Sequence, residues 1–290
     1  MKPTWHEFVD AAPDGWWWHT KMWADYQVAH AGSTGVCVTV DDGLCPLFFR
    51  DGECEMEGEP GPWPLAENPE AMERLLAEVE RVARHVGVPR LRFRASPLVL
   101  WSAPLPGEGW RDISWVSRVL DLTQSEARLH AGVRKSYRHL INRGRQTWEG
   151  WNCAGNPEAF HVLWGEVNGH RRHAEAEVLM SEWLKTGNAR LFGAWRGGRW
   201  EAFCYVIVYK RRAYYASGPS LVPGAMHALQ WDMILGLKTE GVELYELGWQ
   251  ARPGDSEKDR GIARFKAGFG GEDRIVRAVE REFKEADDAH

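Results

Sequence analysis

Cysteine is scarce in this chain of 290 residues, and its five cysteines follow no disulfide or metal-binding pattern. An odd number without any CxxC pair argues against a disulfide framework and against a cysteine-based metal site. No signal peptide is recognisable at the start of the sequence, so we expect a reducing, cytoplasmic compartment. The five are Cys37, Cys45, Cys54, Cys153 and Cys204.

Long hydrophobic runs are also missing, because no segment approaches the roughly 18 apolar residues of a membrane helix. The sequence has neither a P-loop nor a GxSxG motif, which argues against the nucleotide and hydrolase chemistries those motifs serve. Hydrophobic residues make up 44% and aromatic residues 12%, with 17 tryptophans. This composition is typical of a globular protein whose tryptophans mostly pack in a core; an aromatic binding groove is the alternative.

The formal net charge of -5 argues against wholesale, non-specific binding of nucleic acid. Residues 128–145 are an exception, because they carry six basic side chains and no acidic one. Arg134, Lys135 and Arg138 are spaced so that one helix face can present several cations to a phosphate backbone. A solvated helix face explains the same run equally well. The six are Arg128, Arg134, Lys135, Arg138, Arg143 and Arg145.

The order of patterns along the chain predicts an α+β fold. A hairpin turning at Asp41-Asp42-Gly43, a helix starting at Asn68 or Pro69, and a strand fill the first half. A helix capped by Thr123 or Ser125 follows, and the second half repeats helix, antiparallel hairpins, long helix and strand. A last strand or short helix covers residues 274–283. We therefore predict a first subdomain at 1–122, a basic connecting helix at 123–147 and a second subdomain at 148–290.

The stretch RGIARFKAGFGGE, residues 260–272, places one lysine between two phenylalanines and three glycines after it. Phe265 and Phe269 can anchor the segment in a core and hold Lys266 in a fixed position. The glycines permit backbone conformations that other residues resist. A strand-edge lysine beside a glycine-rich turn is the alternative interpretation of Lys266.

The second half suggests an acyltransferase of the GNAT type. In that fold a strand meander precedes a helix whose N-terminus faces a phosphate-bearing donor. Here GPSLVPGAMHALQW, residues 218–231, takes that place. This segment lacks the Arg/Gln-x-x-Gly-x-Gly/Ala turn that enzymes using coenzyme A generally have. The sequence evidence for acyl-CoA as the donor is therefore weak.

Four stretches in series resemble the Fem family of aminoacyl-tRNA-dependent peptidyl transferases: WADYQ, LDLTQSEARLHAGVRKSYRHLINRGR, AYYASGPS with MHALQWDMILGLKTEGVELYELG, and ARFKAGFGG. The resemblance spans most of the chain. It implies two GNAT-like subdomains in tandem, with mixed or antiparallel sheets flanked by helices and the acceptor between them. It also implies transfer of an amino acid from charged tRNA to an amine on a peptide, without a metal or other cofactor.

The resemblance assigns roles to individual residues. Lys266 and Phe265 look like the catalytic pair, with the lysine stabilising charge on the ester carbonyl and the tRNA terminus. The expected acceptor-binding residues are Tyr215, Arg171, Arg172 and Trp23, and the expected tRNA-binding residues are Arg134, Lys135 and Arg138. Inward packing is the alternative for Tyr215 and Trp23.

Two departures from the family pattern concern the acceptor. Asp25 and Gln27 follow Trp23-Ala24 where members acting on linked muropeptides tend to have lysine, and Trp249 replaces the second glycine of the Asp-x-Gly-Gly strand end. The long helical hairpin that some members use for tRNA contact is absent. A peptidoglycan precursor and a small peptide natural product are therefore both candidate acceptors. An acyl-CoA-dependent N-acyltransferase and a non-enzymatic binding protein are the alternative functions.

Overall fold

The computed structural model describes residues 3–56, 59–99, 109–148, 156–252 and 254–283. By its contacts the chain divides into two units: the first comprises residues 1–115 and 275–290, and the second comprises residues 116–274. The sequence-based boundaries at 122 and 147 differ from this division. Residues 116–147 group with the second unit, and the C-terminal residues from 275 group with the first.

The first unit is an eight-stranded mixed sheet with three α-helices and a 3-10 turn at Trp17–His19 among its described residues. The helices are α1 (Trp5–Ala11), α2 (Lys21–Ala31) and α3 (Pro69–Val86). The strands are β1 (Thr34–Val40), β2 (Gly43–Arg50), β3 (Glu53–Cys54), β4 (Gly61–Pro62), β5 (Leu65–Ala66), β6 (Arg90–Arg94), β7 (Arg111–Asp112) and β14 (Ala278–Glu282).

The sheet of the first unit runs β1-β2-β3-β6-β14-β7, with β4 beside β6 and β5 beside β2. The predicted hairpin is confirmed, because β1 pairs with β2 antiparallel and Val40 faces Gly43 across the turn. The predicted start of α3 is confirmed too: the Asn68 side chain accepts a hydrogen bond from the Ala71 backbone at 2.8 Å. The apolar face of α3 packs on the sheet through Leu75 and Val79.

The second unit is a six-stranded sheet with six helices among its described residues. The helices are α4 (Glu126–Gly132), α5 (Lys135–Thr147), α6 (Pro157–Asn168), α7 (Ala174–Lys185), α8 (Ala225–Thr239) and α9 (Glu257–Ala267). The strands are β8 (Trp115–Asp121), β9 (Ala189–Arg196), β10 (Arg199–Tyr209), β11 (Arg212–Ser217), β12 (Leu244–Trp249) and β13 (Glu272–Val276).

The sheet of the second unit runs β13-β8-β12-β11-β10-β9. Strands β9, β10 and β11 form an antiparallel meander, and β12 then pairs with β11 in parallel after the α8 crossover. A buried cluster that includes Leu229, Met233 and Tyr245 joins α8 to the sheet. The fold is therefore α+β with two mixed sheets, as the sequence predicts.

The basic segment is two helices rather than the single helix that the sequence predicts. Ser125, not Thr123, caps α4 by accepting a hydrogen bond from the Arg128 backbone. The helix ends at Gly132 with Val133 as its C-cap, and the next backbone N–H, that of Arg134, donates to the Gly268 carbonyl at 2.9 Å. Residues 274–283 likewise form parts of two strands, β13 and β14, and no helix.

Four of the five cysteines are free thiols, and Cys153 lies outside the described residues. In the part of the chain that is described, no helix is both long enough and apolar enough to cross a membrane.

Candidate functional site

A cavity of about 540 Å³ opens in the second unit where β11, β12 and α9 meet. Its lining includes four aromatic side chains and two lysines. A concave, mostly apolar surface with a few charged groups is the usual form of a small-molecule or substrate site. The six residues are Tyr214, Tyr215, Trp249, Phe265, Lys258 and Lys266.

One face of α9 supplies much of this lining. The helix starts at Ser256, whose hydroxyl accepts a hydrogen bond from the Asp259 backbone at 3.1 Å. Lys258, Ile262 and Lys266 recur at intervals of four residues and so share a face. Helical spacing therefore places one lysine near the start of the helix and one in its last turn, both against the same cavity.

Lys266 is a buried lysine, with only 7% of its surface exposed. Its Nζ lies 4.4 Å from the centroid of the Trp249 ring, within the range of a cation–π contact. Gly248 also lies close to the amine: its φ is +100°, and a Cβ at that position would lie 2.8 Å from Nζ. The missing side chain of Gly248 is therefore what lets the amine approach the strand.

Burial lowers the pKa of Lys266 from 10.5 to about 8, and the negative charge of Glu246 opposes that effect. Glu246 is itself buried, and its Oε1 accepts a hydrogen bond from the Ser117 hydroxyl at 2.7 Å. At pH 7 the amine is mostly protonated, so it can donate hydrogen bonds to developing negative charge. Because its pKa lies close to neutrality, it can also exchange a proton at little cost.

Lys266→Met should raise the stability of the protein at neutral pH. The pKa of Lys266 is lower in the folded chain than its ordinary 10.5, so the unfolded chain binds more protons between pH 8 and 10.5. The cost of burying the charge is fully present below pH 8 and disappears as pH rises through 10.5. Denaturant unfolding should show the Met variant more stable by about 3 kcal/mol at pH 7, and by far less near pH 10.5.

Lys258→Met is the control for this measurement, since Lys258 is exposed on the same helix. It should change the free energy of unfolding little at either pH. A difference between wild type and Lys266→Met that does not vary with pH would contradict the assignment of a charged, desolvated amine.

The glycine-rich turn after Lys266 is explained by two close approaches. A Cβ at Gly268 would lie 2.0 Å from the ring of Tyr137. Gly271 has φ of +76°, and a Cβ there would lie 2.3 Å from the Val119 carbonyl oxygen in β8. The turn therefore packs directly against β8 and the junction of α4 and α5, and it fixes the end of α9 that carries Lys266.

An aromatic cluster supports the same end of α9. The ring of His227, at the start of α8, contacts Tyr137 at 4.4 Å and Phe265 at 5.2 Å between centroids. Phe265 also contacts Phe269 at 5.1 Å. Burial lowers the pKa of His227, so the imidazole is neutral at pH 7. Phe265 thus meets the cavity on one side and anchors the helix on the other.

The structure brings three of the predicted site residues together, since Lys266, Phe265 and Tyr215 all line the cavity. Tyr215 is partly buried, and its hydroxyl occupies the space where a side chain at position 218 would stand. Arg172 lies beside them, because its Nη2 donates to the hydroxyl of Ser217, a lining residue, at 3.3 Å.

Two other predicted acceptor residues are not among those that line this cavity. Arg171 forms ion pairs with Glu177 and Glu158 at 2.5 and 3.3 Å. Trp23 belongs to the first unit, where its indole N–H donates to the Met56 sulfur at 3.0 Å. Acceptor binding by either side chain stays a prediction.

The predicted tRNA-binding residues differ in what their side chains contact. Arg138 donates to the carbonyls of Val133 and Ala131 at 2.9 and 2.8 Å, so it caps the end of α4. The guanidinium of Arg134 lies 5.1 Å from the centroid of Tyr137 and is exposed. Lys135 is also exposed. Arg134 and Lys135 are therefore better placed than Arg138 to meet a phosphate backbone.

Sequence reasoning missed Lys258, Glu246 and Gly248 as members of the site. Helical spacing from Lys266 could have found Lys258. Glu246 and Gly248 reach the lysine through an irregularity of β12, which pairs Glu246 with Val119 but Gly248 with Arg118. Among the described residues, no three His, Cys, Asp or Glu side chains group where a metal ion could be held.

No family model and no curated protein sequence matches the chain. Solved structures do share its fold over nearly the whole length. FemX gives a TM-score of 0.72 at 13% identity, covering 98% of this chain and 97% of FemX. The C-terminal domain of a protein described as a lysylphosphatidylglycerol synthetase, from Agrobacterium fabrum, gives 0.63 at 17% identity, covering 97% and 93%.

L-PGS from Bacillus licheniformis gives a TM-score of 0.57 at 11% identity, covering 88% of this chain and 85% of that one. At such identities the likeness concerns the fold. The chain has the Fem-like GNAT fold that its sequence motifs predict.

Proposed function

We propose that this protein is an aminoacyltransferase that moves an amino acid from aminoacyl-tRNA to an amine of a peptide acceptor, either a peptidoglycan precursor or a small peptide natural product. The observation that carries the proposal is the ammonium of Lys266, buried beside Trp249 and facing a cavity large enough for a substrate. The Fem-like fold supports it, because FemX shares that fold.

In this mechanism the neutral amine of the acceptor attacks the ester carbonyl carbon of the aminoacyl-tRNA. The amide bond forms, the ester C–O bond breaks, and the proton of the amine leaves with the ribose oxygen. Lys266 donates a hydrogen bond to the oxygen on which negative charge develops, and a fixed donor in a partly dry site is stronger than one in water. The positive charges of Lys258 and Lys266 also favour the neutral, nucleophilic form of a bound amine.

The basic segment α4–α5 is the proposed docking surface for tRNA. The backbone bond from Arg134 to Gly268 joins that segment to the turn that follows Lys266. A nucleic acid bound by Arg134 and Lys135 would therefore lie next to α9, the helix that carries the catalytic lysine. Phosphate contacts of this kind position a nucleic acid without reading its sequence.

Arg134→Gln combined with Lys135→Gln should weaken tRNA binding and flatten its salt dependence. Each lost phosphate contact lowers the slope of log K against log salt concentration by about 0.7 to 0.9, so the pair should lower it by about 1.5. Filter binding between 50 and 200 mM salt measures the slope. Arg138 is left in place because it caps α4.

The matched control is Lys21→Gln with Lys185→Gln, which removes the same charge from two exposed surface ion pairs. Its slope should equal that of the wild type. An equal loss in both double variants, or no loss in either, would place the tRNA elsewhere on the protein.

The alternative is an acyl-CoA-dependent N-acyltransferase on the same fold. One observation favours it: α8 begins after Gly224 without a side-chain cap, so its first backbone N–H groups can face the phosphates of a donor. The segment 218–231 still lacks the turn that coenzyme A users share, which is why this function ranks second.

A transfer assay separates the two donors and identifies the acceptor. The protein is incubated with a pool of aminoacyl-tRNAs carrying labelled amino acids, or with labelled acyl-CoA, and with peptides, wall precursors or phosphatidylglycerol vesicles. The lipid is included because a lysylphosphatidylglycerol synthetase domain shares the fold. We expect label on a peptide amine, abolished by RNase. Label from acyl-CoA that RNase leaves untouched would replace the proposed donor, and label on the lipid would replace the proposed acceptor.

A further inference from the structure

Trp249 stands at the end of β12, where its indole borders the cavity and faces the lysine. Its side chain is only partly buried, unlike the tryptophans that fill the core, such as Trp231. The ring centroid lies 4.4 Å from the Nζ of Lys266, and no other aromatic ring is recorded over that amine among the described residues. The indole is therefore placed to interact with the amine.

An irregularity in β12 determines the direction of the Trp249 ring. The pairing of β12 with β8 shifts register between Glu246 and Gly248, which is a β-bulge. Bulges re-aim side chains and are frequent next to active sites. The two residues after the bulge are held in place, since Gln250 Nε2 donates to the carbonyls of Gly248 and Trp249 at 3.2 Å each.

We propose that Trp249 is a positioning residue for Lys266: its indole face holds the ammonium in its charged form and aims it into the cavity. The inference rests on the proposed function for its consequence in catalysis, but the contact itself exists in the free protein. A cation–π contact stabilises the ammonium by the electrostatic attraction of the ring face, and most strongly where water is excluded.

The other titratable groups around the amine cannot do this alone. Lys258, a cation on the same helix, offers no attraction to the ammonium, and burial raises the pKa of the Tyr215 phenol on β11, so that it is neutral at pH 7. Glu246 on β12 is the one carboxylate that raises the pKa of Lys266, and burial outweighs it. Trp249 therefore supplies a second attraction, and it also fixes the direction of the amine.

Two substitutions separate the ring face from the bulk of the side chain. Trp249→Phe retains an aromatic face, whereas Trp249→Leu is apolar without one. In the transfer assay at pH 8, we expect Leu to lower kcat by about five- to thirty-fold and Phe to retain most of the activity. The KM for the acceptor should change little by comparison.

The pH dependence of activity tests the inference, because a purely structural role of Trp249 would not change the midpoint of the profile. With a neutral acceptor amine as the nucleophile and a protonated lysine as the active form, the profile is bell-shaped, and its alkaline limb falls as pH rises through the pKa of Lys266. That midpoint should lie near 8 in the wild type and lower by about 1 in Trp249→Leu. The deficit of the Leu variant should therefore be largest above pH 7.5 and smaller at pH 6.

NMR titration of lysine side chains labelled with ¹³C and ¹⁵N tests the inference without any substrate. Lys266→Met identifies the signal of Lys266, and its pKa is compared in wild type, Trp249→Phe and Trp249→Leu. A pKa that falls in the Leu variant supports the inference even if aminoacyl-tRNA proves not to be the donor. Robust transfer from aminoacyl-tRNA with the same lysine pKa and the same rate in all three proteins overturns it and leaves the proposed function standing.

Discussion

Lys266→Met should reduce the rate of aminoacyl transfer by about 100- to 1,000-fold while leaving a folded protein. This is the usual cost of removing one donor from the site where negative charge develops, about 3 to 4 kcal/mol. Methionine keeps most of the length of lysine but provides no donor. The rate should be measured in single turnovers at saturating aminoacyl-tRNA, so that the loss is read in the chemical step and not in binding.

Two observations distinguish a loss of chemistry from a loss of fold. The Met variant is expected to be more stable than wild type at pH 7, because the buried charge of Lys266 is removed. Lys258→Met, on the same face of α9, should lower the rate far less because Lys258 is exposed. Turnover within a few-fold of wild type in Lys266→Met would remove the catalytic role from this lysine.

Local patterns predicted much of the fold. The hairpin of β1 and β2 follows from alternating apolar residues on either side of an Asp-Asp-Gly turn, and α3 follows from its Asn68 cap and apolar stripe. Both signals lie within a few residues of the element they define. The α+β class then follows from the order of the elements.

Long-range contacts decided what the sequence did not reveal. The basic segment breaks at Val133–Arg134, where the Arg134 N–H bonds to Gly268, far along the chain. The last strands, β13 and β14, pair in different sheets: β13 joins β8, and β14 joins β6 and β7. Neither partner can be read from the local pattern of the segment concerned.

The candidate site was likewise predictable from local motifs in part, and its remaining members depend on long-range contacts. Phe265, Lys266 and Tyr215 were singled out by their motifs, and the structure lines one cavity with all three. The group around the amine was not foreseen, because Gly248 and Trp249 reach Lys266 only through the register shift in β12. The departure from the family motif at position 249 drew attention to the tryptophan that contacts Lys266, without indicating that contact.

Gly271→Ala should destabilise the protein by about 4 kcal/mol, the sum of left-handed strain and a steric clash, and Gly187→Ala supplies a closely matched comparison. The two glycines have nearly the same backbone conformation, with φ of +76° and +78°. Gly187 has open space around it, so its substitution should cost only the left-handed strain of alanine, about 1 to 2 kcal/mol. Denaturant unfolding of the two variants measures the difference.

The additional destabilisation expected for Gly271→Ala arises because its new Cβ would meet backbone atoms. Its added Cβ would meet the Val119 carbonyl oxygen at 2.3 Å, and Val119 is paired with Glu246 in the sheet. A flexible side chain could move aside, but this carbonyl cannot without disturbing the pairing that holds Glu246 near Lys266. The folded fraction of Gly271→Ala should therefore also lose transfer activity, whereas Gly187→Ala should not. Equal destabilisation and unchanged activity in both variants would mean that the glycine-rich turn is only a flexible connection and does not position the lysine.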